Sequence, residues 1–219
     1  MPRLLFEKTG NAIWISHLDL MRLFQRAFKR AGYPLTHTQG FNPRPSVSIA
    51  LPLSVGIESQ CELLDFDLDT QCDSLDILKD KLNHALVEGV IIHDVITAGK
   101  KIRDLAFLQT KILMHYDNGI PENACSRIRE LFGNDSLIVT KKTKNGFADQ
   151  DILPMIKSFE VEAVGEKLVE IVAIHCCQNP TLNPTQIVTA ICKYAPELAP
   201  SASEYRRIEV YDQNDNIFR

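Results

Sequence analysis

The chain has 219 residues, of which 45% are hydrophobic and 24% charged, with a net charge of −4. This usage excludes a disordered or fibrous chain. No apolar run approaches the roughly 20 residues of a membrane helix, and the N-terminus lacks the continuous apolar stretch of a signal peptide, so a cytoplasmic protein with no membrane partner is expected. At about 150 residues per domain, the length accommodates one large domain or two small ones.

Residues 3–6 and 12–15 read as strands divided by a Thr-Gly-Asn turn. Ser16 then opens a helix, and Asp19 three residues on resembles the acidic partner of a capping box. Leu20, Leu23, Phe24, Ala27, Phe28 and Ala31 recur at helical spacing as a buried stripe, and Gly32 stops the helix. Arg22, Arg26 and Arg30, four residues apart and flanked by Lys29, form a basic ridge away from that stripe. Residues 36–46, THTQGFNPRPS, have no period and form a loop. Strands follow at 47–53 and 63–68, then an amphipathic helix over 74–87 closed by Gly89, then a strand over 90–96. This β-α-β-β-α-β order is that of a ferredoxin-like domain.

A similar order recurs beyond a link at 98–104. Residues 107–116 read as strand, 121–132 as helix with Pro121 in its first turn, and 136–143 as strand. A turn follows at Lys144-Asn145-Gly146. Residues 159–164 and 167–175 form a hairpin, 184–194 a helix and 207–211 a last strand. The expected architecture is α+β: two ferredoxin-like halves with antiparallel sheets, over 1–97 and 105–219. No sequence repeat accompanies this recurrence, which rests on element order.

Charge is unevenly spread. Residues 1–46 carry +5, 47–97 carry −8, 98–157 carry +3 and 158–219 carry −4. A basic N-terminal block can hold nucleic acid in an acidic protein, because local potential governs binding; the alternative is a solvated helix face. Lys141, Lys142 and Lys144 either widen a basic surface or belong to a solvated hairpin. The six cysteines, at 61, 72, 125, 176, 177 and 192, include no C-x-x-C and complete no zinc pattern with histidines, so they read as reduced thiols and no metal site is expected. His84, His93, His115 and His175 lack ligand spacing. No P-loop, G-x-G-x-x-G, G-x-S-x-G or H-E-x-x-H motif is present.

The densest run of unusual residues lies within 16–65. It comprises Ser16-His17-Leu18-Asp19 with Arg22 and Arg26, and Gly40-Phe41-Asn42-Pro43 with Pro45. Ser48, Pro52-Leu53, Gly56, Ser59, Glu62 and Asp65 continue it. In these marks, about a quarter of the chain, the sequence resembles a bacterial domain family of unknown function that is fused to, or encoded beside, radical S-adenosylmethionine (SAM) proteins. The family tends to carry an aromatic where His37 stands. The resemblance implies a helper to a radical SAM enzyme, acting in RNA modification. The iron–sulfur cluster and S-adenosylmethionine are then expected on the partner, since no cluster motif stands in this chain.

The residues themselves point to RNA. Phe41, between Gly40 and Pro43, offers a stacking platform for an unpaired base; equally, a Phe there can plug the core. Asn42 can bond a base edge or simply make a turn. Arg22, Arg26, Arg30 and Arg44 can take phosphates. A neutral imidazole at His17 can act as a general base, or merely donate to a carbonyl. Asp19 is a cap residue or a catalyst. Glu62 and Asp65, on one strand, face opposite sides and suit a structural or partner-docking role, one of them pairing with the basic helix. The leading reading is a non-enzymatic RNA-binding or substrate-presenting module for tRNA or rRNA. The alternatives are a metal-independent endoribonuclease with His17 as base, resembling the CRISPR repeat-processing enzymes in architecture, and a protein-only adaptor docking through the acidic segment 58–76.

Overall fold

The computed structural model describes residues 1–70, 72, 74–143 and 146–219. Lys144 and Asn145, and with them the expected turn and the third lysine of the basic hairpin, lie outside the described residues, as do Gln71 and Asp73 of the acidic segment. Among the described residues the fold is mixed α+β with antiparallel strand pairing and four α-helices. It divides into two units: residues 1–104 with 218–219, and residues 105–217. Among the described residues no helix is long and apolar enough to cross a membrane.

Unit 1 contains β1 (Arg3–Lys8), α1 (His17–Arg30), β2 (Val47–Ile49), β3 (Glu58–Phe66), α2 (Leu75–Ala85) and β4 (Val90–Ile96). Strand β1 lies between β4 and β3, antiparallel to both, and β2 pairs antiparallel with the end of β3. The register sets Leu4 opposite Leu64, and these with Phe6 and Phe66 form the apolar sheet face. Leu20, Phe24, Ala27 and Phe28 of α1 and Leu78 and Leu82 of α2 cover it. Phe6 meets Phe24 edge-on at 4.8 Å, and Phe28 tilts against Phe66 at 5.0 Å. Each fully buried Phe or Leu contributes about 2 kcal/mol, so the helical stripe fixes which face of α1 is left for other work.

Residues 12–15, expected as strand, instead complete a 3-10 turn over Gly10–Trp14. Gly10 enters the left-handed region at φ +55°, and the Ala12 and Ile15 N–H groups donate to Thr9 and Ala12 carbonyls. Only Ala12 of that stretch is buried, so its apolar residues follow no strand face. The chain is tied there by the Thr9 N–H donating to Gly89 O at 2.8 Å. A Cβ on Gly89 would stand 2.3 Å from Thr9 O, so only glycine fits.

Unit 2 contains β5 (Leu105–His115), α3 (Ala124–Phe132), β6 (Ile138–Thr143), β7 (Gly146–Asp151), β8 (Ile156–Ala163), β9 (Leu168–Cys176), α4 (Thr185–Tyr194) and β10 (Ala202–Asp212). Its sheet runs β10-β5-β9-β8, antiparallel throughout. Ile112, Met114, Val169, Ile171 and Ala173 pack against Ile128 of α3 and Ile187, Ala190 and Ile191 of α4. Strands β6 and β7 pair separately as a two-stranded ribbon. Strand β7 was not expected: FADQD carries no apolar alternation, and of residues 146–150 only Gln150 is buried.

Candidate nucleic-acid interface

Helix α1 starts where the sequence places it. Ser16 is its N-cap, accepting from the Asp19 N–H at 3.2 Å and donating its hydroxyl proton to the Asp19 carboxylate at 2.7 Å. The Arg22 guanidinium donates to the same carboxylate at 2.9 Å. These bonds, from Ser16 first and then Arg22, hold the Asp19 carboxyl below its usual value, so it is ionised at neutral pH. Asp19 therefore braces the Ser16 cap and orients Arg22. His17 occupies the first turn, half-buried.

The basic ridge forms as the spacing requires. Asp19, Arg22 and Arg26 line one open cleft of about 400 Å³ with Leu23 and Val87. Arg30 turns to the end of α2, donating to the Ala85 carbonyl. It lines a neighbouring cleft of about 600 Å³ with Lys81 and His84. Sequence reasoning missed Lys81 and His84 as partners of the ridge: their three-residue spacing marks a face they share on α2, but not the packing of that face beside α1.

Phe41 does not plug the core. Its side chain is fully exposed, and Asn42 and Arg44 are exposed beside it. The loop that carries it is held at its base. The Thr38 N–H donates to Arg44 O at 2.8 Å, the Arg44 N–H to the Thr38 hydroxyl at 3.1 Å, and the Ser46 N–H to Thr36 O at 2.8 Å. His37 and Pro45 bridge between these pairs. Thr36 is anchored in turn to Asp67 through both its N–H and its hydroxyl. Residues 39–43 thus project from a closed base, and Gly40, at φ +142°, supplies a backbone conformation that other residues rarely adopt. Phe41, Asn42 and Arg44 are gathered at this loop, whereas His17 lines neither α1 cleft.

Asp65 pairs with Arg3 of β1 and not with the basic helix, and Glu62 is buried in the sheet. Asp65 grips Arg3 of β1 with both oxygens, at 2.6 and 3.1 Å. The Arg3 guanidinium also donates to Lys100 O at 2.8 Å and lies over the Phe218 ring at 5.2 Å. Arg3 is only 2% exposed, so the pair is largely desolvated. Glu62 is buried near Lys8, whose ammonium donates to Ile13 O at 3.1 Å. Burial pushes the Lys8 pKa down, and the Glu62 carboxylate pulls it back up. The acidic segment 58–76 thus has its first part built into the sheet, leaving Asp67, Asp69 and Asp76 exposed.

Elsewhere, His175 is a satisfied core residue. Its Nδ1 lies 3.2 Å from Cys176 O, which can only accept, so Nδ1 carries the proton and Nε2 accepts from the Thr110 hydroxyl at 2.9 Å. His93 meets Glu7 and His115 meets Glu204 across neighbouring strands. The cysteines are free thiols, and among the described residues no group of His, Cys, Asp and Glu is placed to hold a metal ion. Phe147, exposed on β7, is a further unclaimed aromatic.

A model of the family described as "uncharacterized protein conserved in bacteria (DUF2344)" matches residues 2–184. No curated protein matches the sequence significantly. Among solved structures, a chain of a crystallised Cbf5–Nop10–Gar1 complex superposes with a TM-score of 0.54 at 10% identity, covering 95% of this chain and 48% of its own. An H/ACA RNP bound to a substrate RNA containing 2'-deoxyuridine gives 0.49 at 9% identity, with coverages of 94% and 46%. The archaeal box H/ACA sRNP Nop10–Cbf5 complex gives 0.48 at 10%, with the same coverages. The chain spans about half the length of these solved chains, and at 10% identity the likeness to the first is one of fold alone.

Proposed function

The chain belongs to the DUF2344 family of bacterial proteins, and from that premise we propose that it is an RNA-binding or substrate-presenting module, not itself catalytic, serving tRNA or rRNA modification or processing. The observation that carries this reading is Phe41. A phenylalanine with no burial, on a loop whose base is bonded shut, gains nothing for folding and is available for stacking. Base–aromatic stacking contributes about 1–3 kcal/mol per base. Asn42 offers a donor and an acceptor beside it, and Arg44 and the ridge of Arg22 and Arg26 offer phosphate contacts. The closed loop base lowers the entropy lost on binding.

The partner in this reading is a radical SAM protein, which supplies the cluster, S-adenosylmethionine and the bond-breaking step. This chain's part is to bind and orient the RNA in the cytoplasm. We also infer that both units are ferredoxin-like. In each, the last strand, the first, the third and the second lie in that antiparallel order, with β6–β7 inserted in unit 2.

Fluorescence anisotropy with tRNA and rRNA fragments across a salt series tests the RNA reading. Binding should be saturable, with log affinity falling linearly in log salt. Phe41→Ala with Arg44→Ala should weaken binding about tenfold or more, as removal of one stacked base and one phosphate neighbour requires. Unchanged affinity in that variant would overturn the reading.

A further inference from the structure

The cleft between the ends of α1 and α2 has a different electrostatic character from its neighbour. Arg30, Lys81 and His84 line it with Ala31, Leu86 and Val87, and no carboxylate is among the lining residues. In the adjacent cleft Arg22 is already paired with Asp19. Here, among the described residues, no acid is bonded to any of the three basic groups. Arg30 is fixed in direction because it donates to Ala85 O, which leaves further guanidinium N–H groups for a ligand. His84 is oriented too. Its Nδ1–H donates to the Asp80 carbonyl at 2.7 Å, which leaves Nε2 as an acceptor for a ribose hydroxyl beside the phosphate. Lys81 lies 5.2 Å from the Tyr33 ring centre, its charge over the ring face.

The two helix C-termini at this end each present about half a negative charge. Arg30 and Lys81 alone outweigh that sum, and Arg30 caps one of the carbonyls responsible. Ala31, Ala85, Leu86 and Val87 add apolar lining, and the volume of about 600 Å³ lies within the range of small-ligand sites. Cations and aliphatic groups lining one cleft match a nucleotide: phosphate to the former, base or sugar to the latter.

From this arrangement we infer that the Arg30–Lys81–His84 cleft is a phosphate subsite for a nucleotide of the RNA strand, with Val87 dividing it from the Arg22–Arg26 cleft. Successive α1 arginines rise about 6 Å along the helix, so one extended strand passes from one cleft to the next. The strand must be single, because the apolar lining of Leu86 and Val87 receives an unpaired base. This inference rests on the RNA reading for the source of the phosphate; the cleft chemistry itself does not.

The test uses the full chain with Lys81→Gln and His84→Gln together. Both side chains are exposed, and circular dichroism checks the fold. One arm measures anisotropy of a uniform single-stranded RNA 12-mer and of its duplex. The wild type should bind the single strand at least fivefold tighter than the duplex. The variant should bind the single strand about fivefold or more weakly than the wild type. Its salt slope should be shallower by about 0.7, the share of a single neutralised phosphate. If the wild type binds RNA and the variant binds equally well, the inference is overturned and the RNA reading stands. The second arm follows the His84 ring by NMR as adenosine monophosphate is added. If RNA binding is absent altogether, the RNA reading falls, and this arm decides the cleft alone. A saturable shift that Lys81→Gln weakens supports a phosphate site for a free nucleotide, and no shift overturns it.

Discussion

His175 sits buried on β9 with a neutral ring bonded on both sides, and burial lowers its pKa from 6.5 to about 4. The unfolded chain takes up a proton near pH 6.5, whereas the folded chain resists until about pH 4. Stability is therefore unaffected by this group above pH 6.5 and falls as pH drops through that window, by about 3 kcal/mol in full. Urea denaturation at pH 7 and pH 4.5 should show the wild type losing about 2 kcal/mol more than His175→Gln. Asp65 makes the opposite kind of contribution, neutralising a buried guanidinium. Asp65→Ala should cost about 3 kcal/mol by the same measurement, because Arg3 is left without its charge partner. Neither role is legible from the sequence. Arg3 and Asp65 stand 62 residues apart, and a lone histidine in an apolar run carries no mark of its partner. The stacking candidate Phe41 is legible as a residue, but the sequence leaves open whether it points inward. Only the bonded base of its loop decides that.

Helices α1 and α2 and strand β4 are readable because local and tertiary demands coincide in them. Ser16 and Ser74 cap, the leucine and phenylalanine stripes repeat at helical spacing, and Gly32 follows the end of α1. The Ser16 cap can be weighed directly: Ser16→Ala should lower stability by about 1 kcal/mol and also release Asp19 from its bond, visible as a shift in the urea midpoint. Where local signals fail, the cause is specific. The Ala12–Ile15 stretch looks extended by composition, yet Gly10 and the Thr9–Gly89 bond wind it into a turn. Strand β7 has no apolar face, so its pairing with β6 leaves no period to read. The exposure of α1's basic ridge follows from its buried stripe and is legible. Its extension to Lys81 and His84 depends on how α2 packs beside α1, which spacing within either helix does not encode.

At the scale of the molecule, two units of about a hundred residues each bury a core of their own. The order of elements gives each body two helices to cover its sheet. What it does not foretell is that unit 1 is discontinuous. Phe218 is fully buried and lies over Arg3, and the Lys100 N–H donates to Arg219 O at 2.8 Å. Removing residues 218–219 should thus loosen unit 1, read as faster hydrogen exchange at Leu4 and Leu5, with the amides of β9 unaffected. A ribosome makes the chain from its amino end, so residues 1–104 emerge more than a hundred residues before Phe218 does. Throughout that interval the nascent first unit holds Arg3 without its ring, and the contacts of Phe218 and Arg219 arrive only once those residues have emerged.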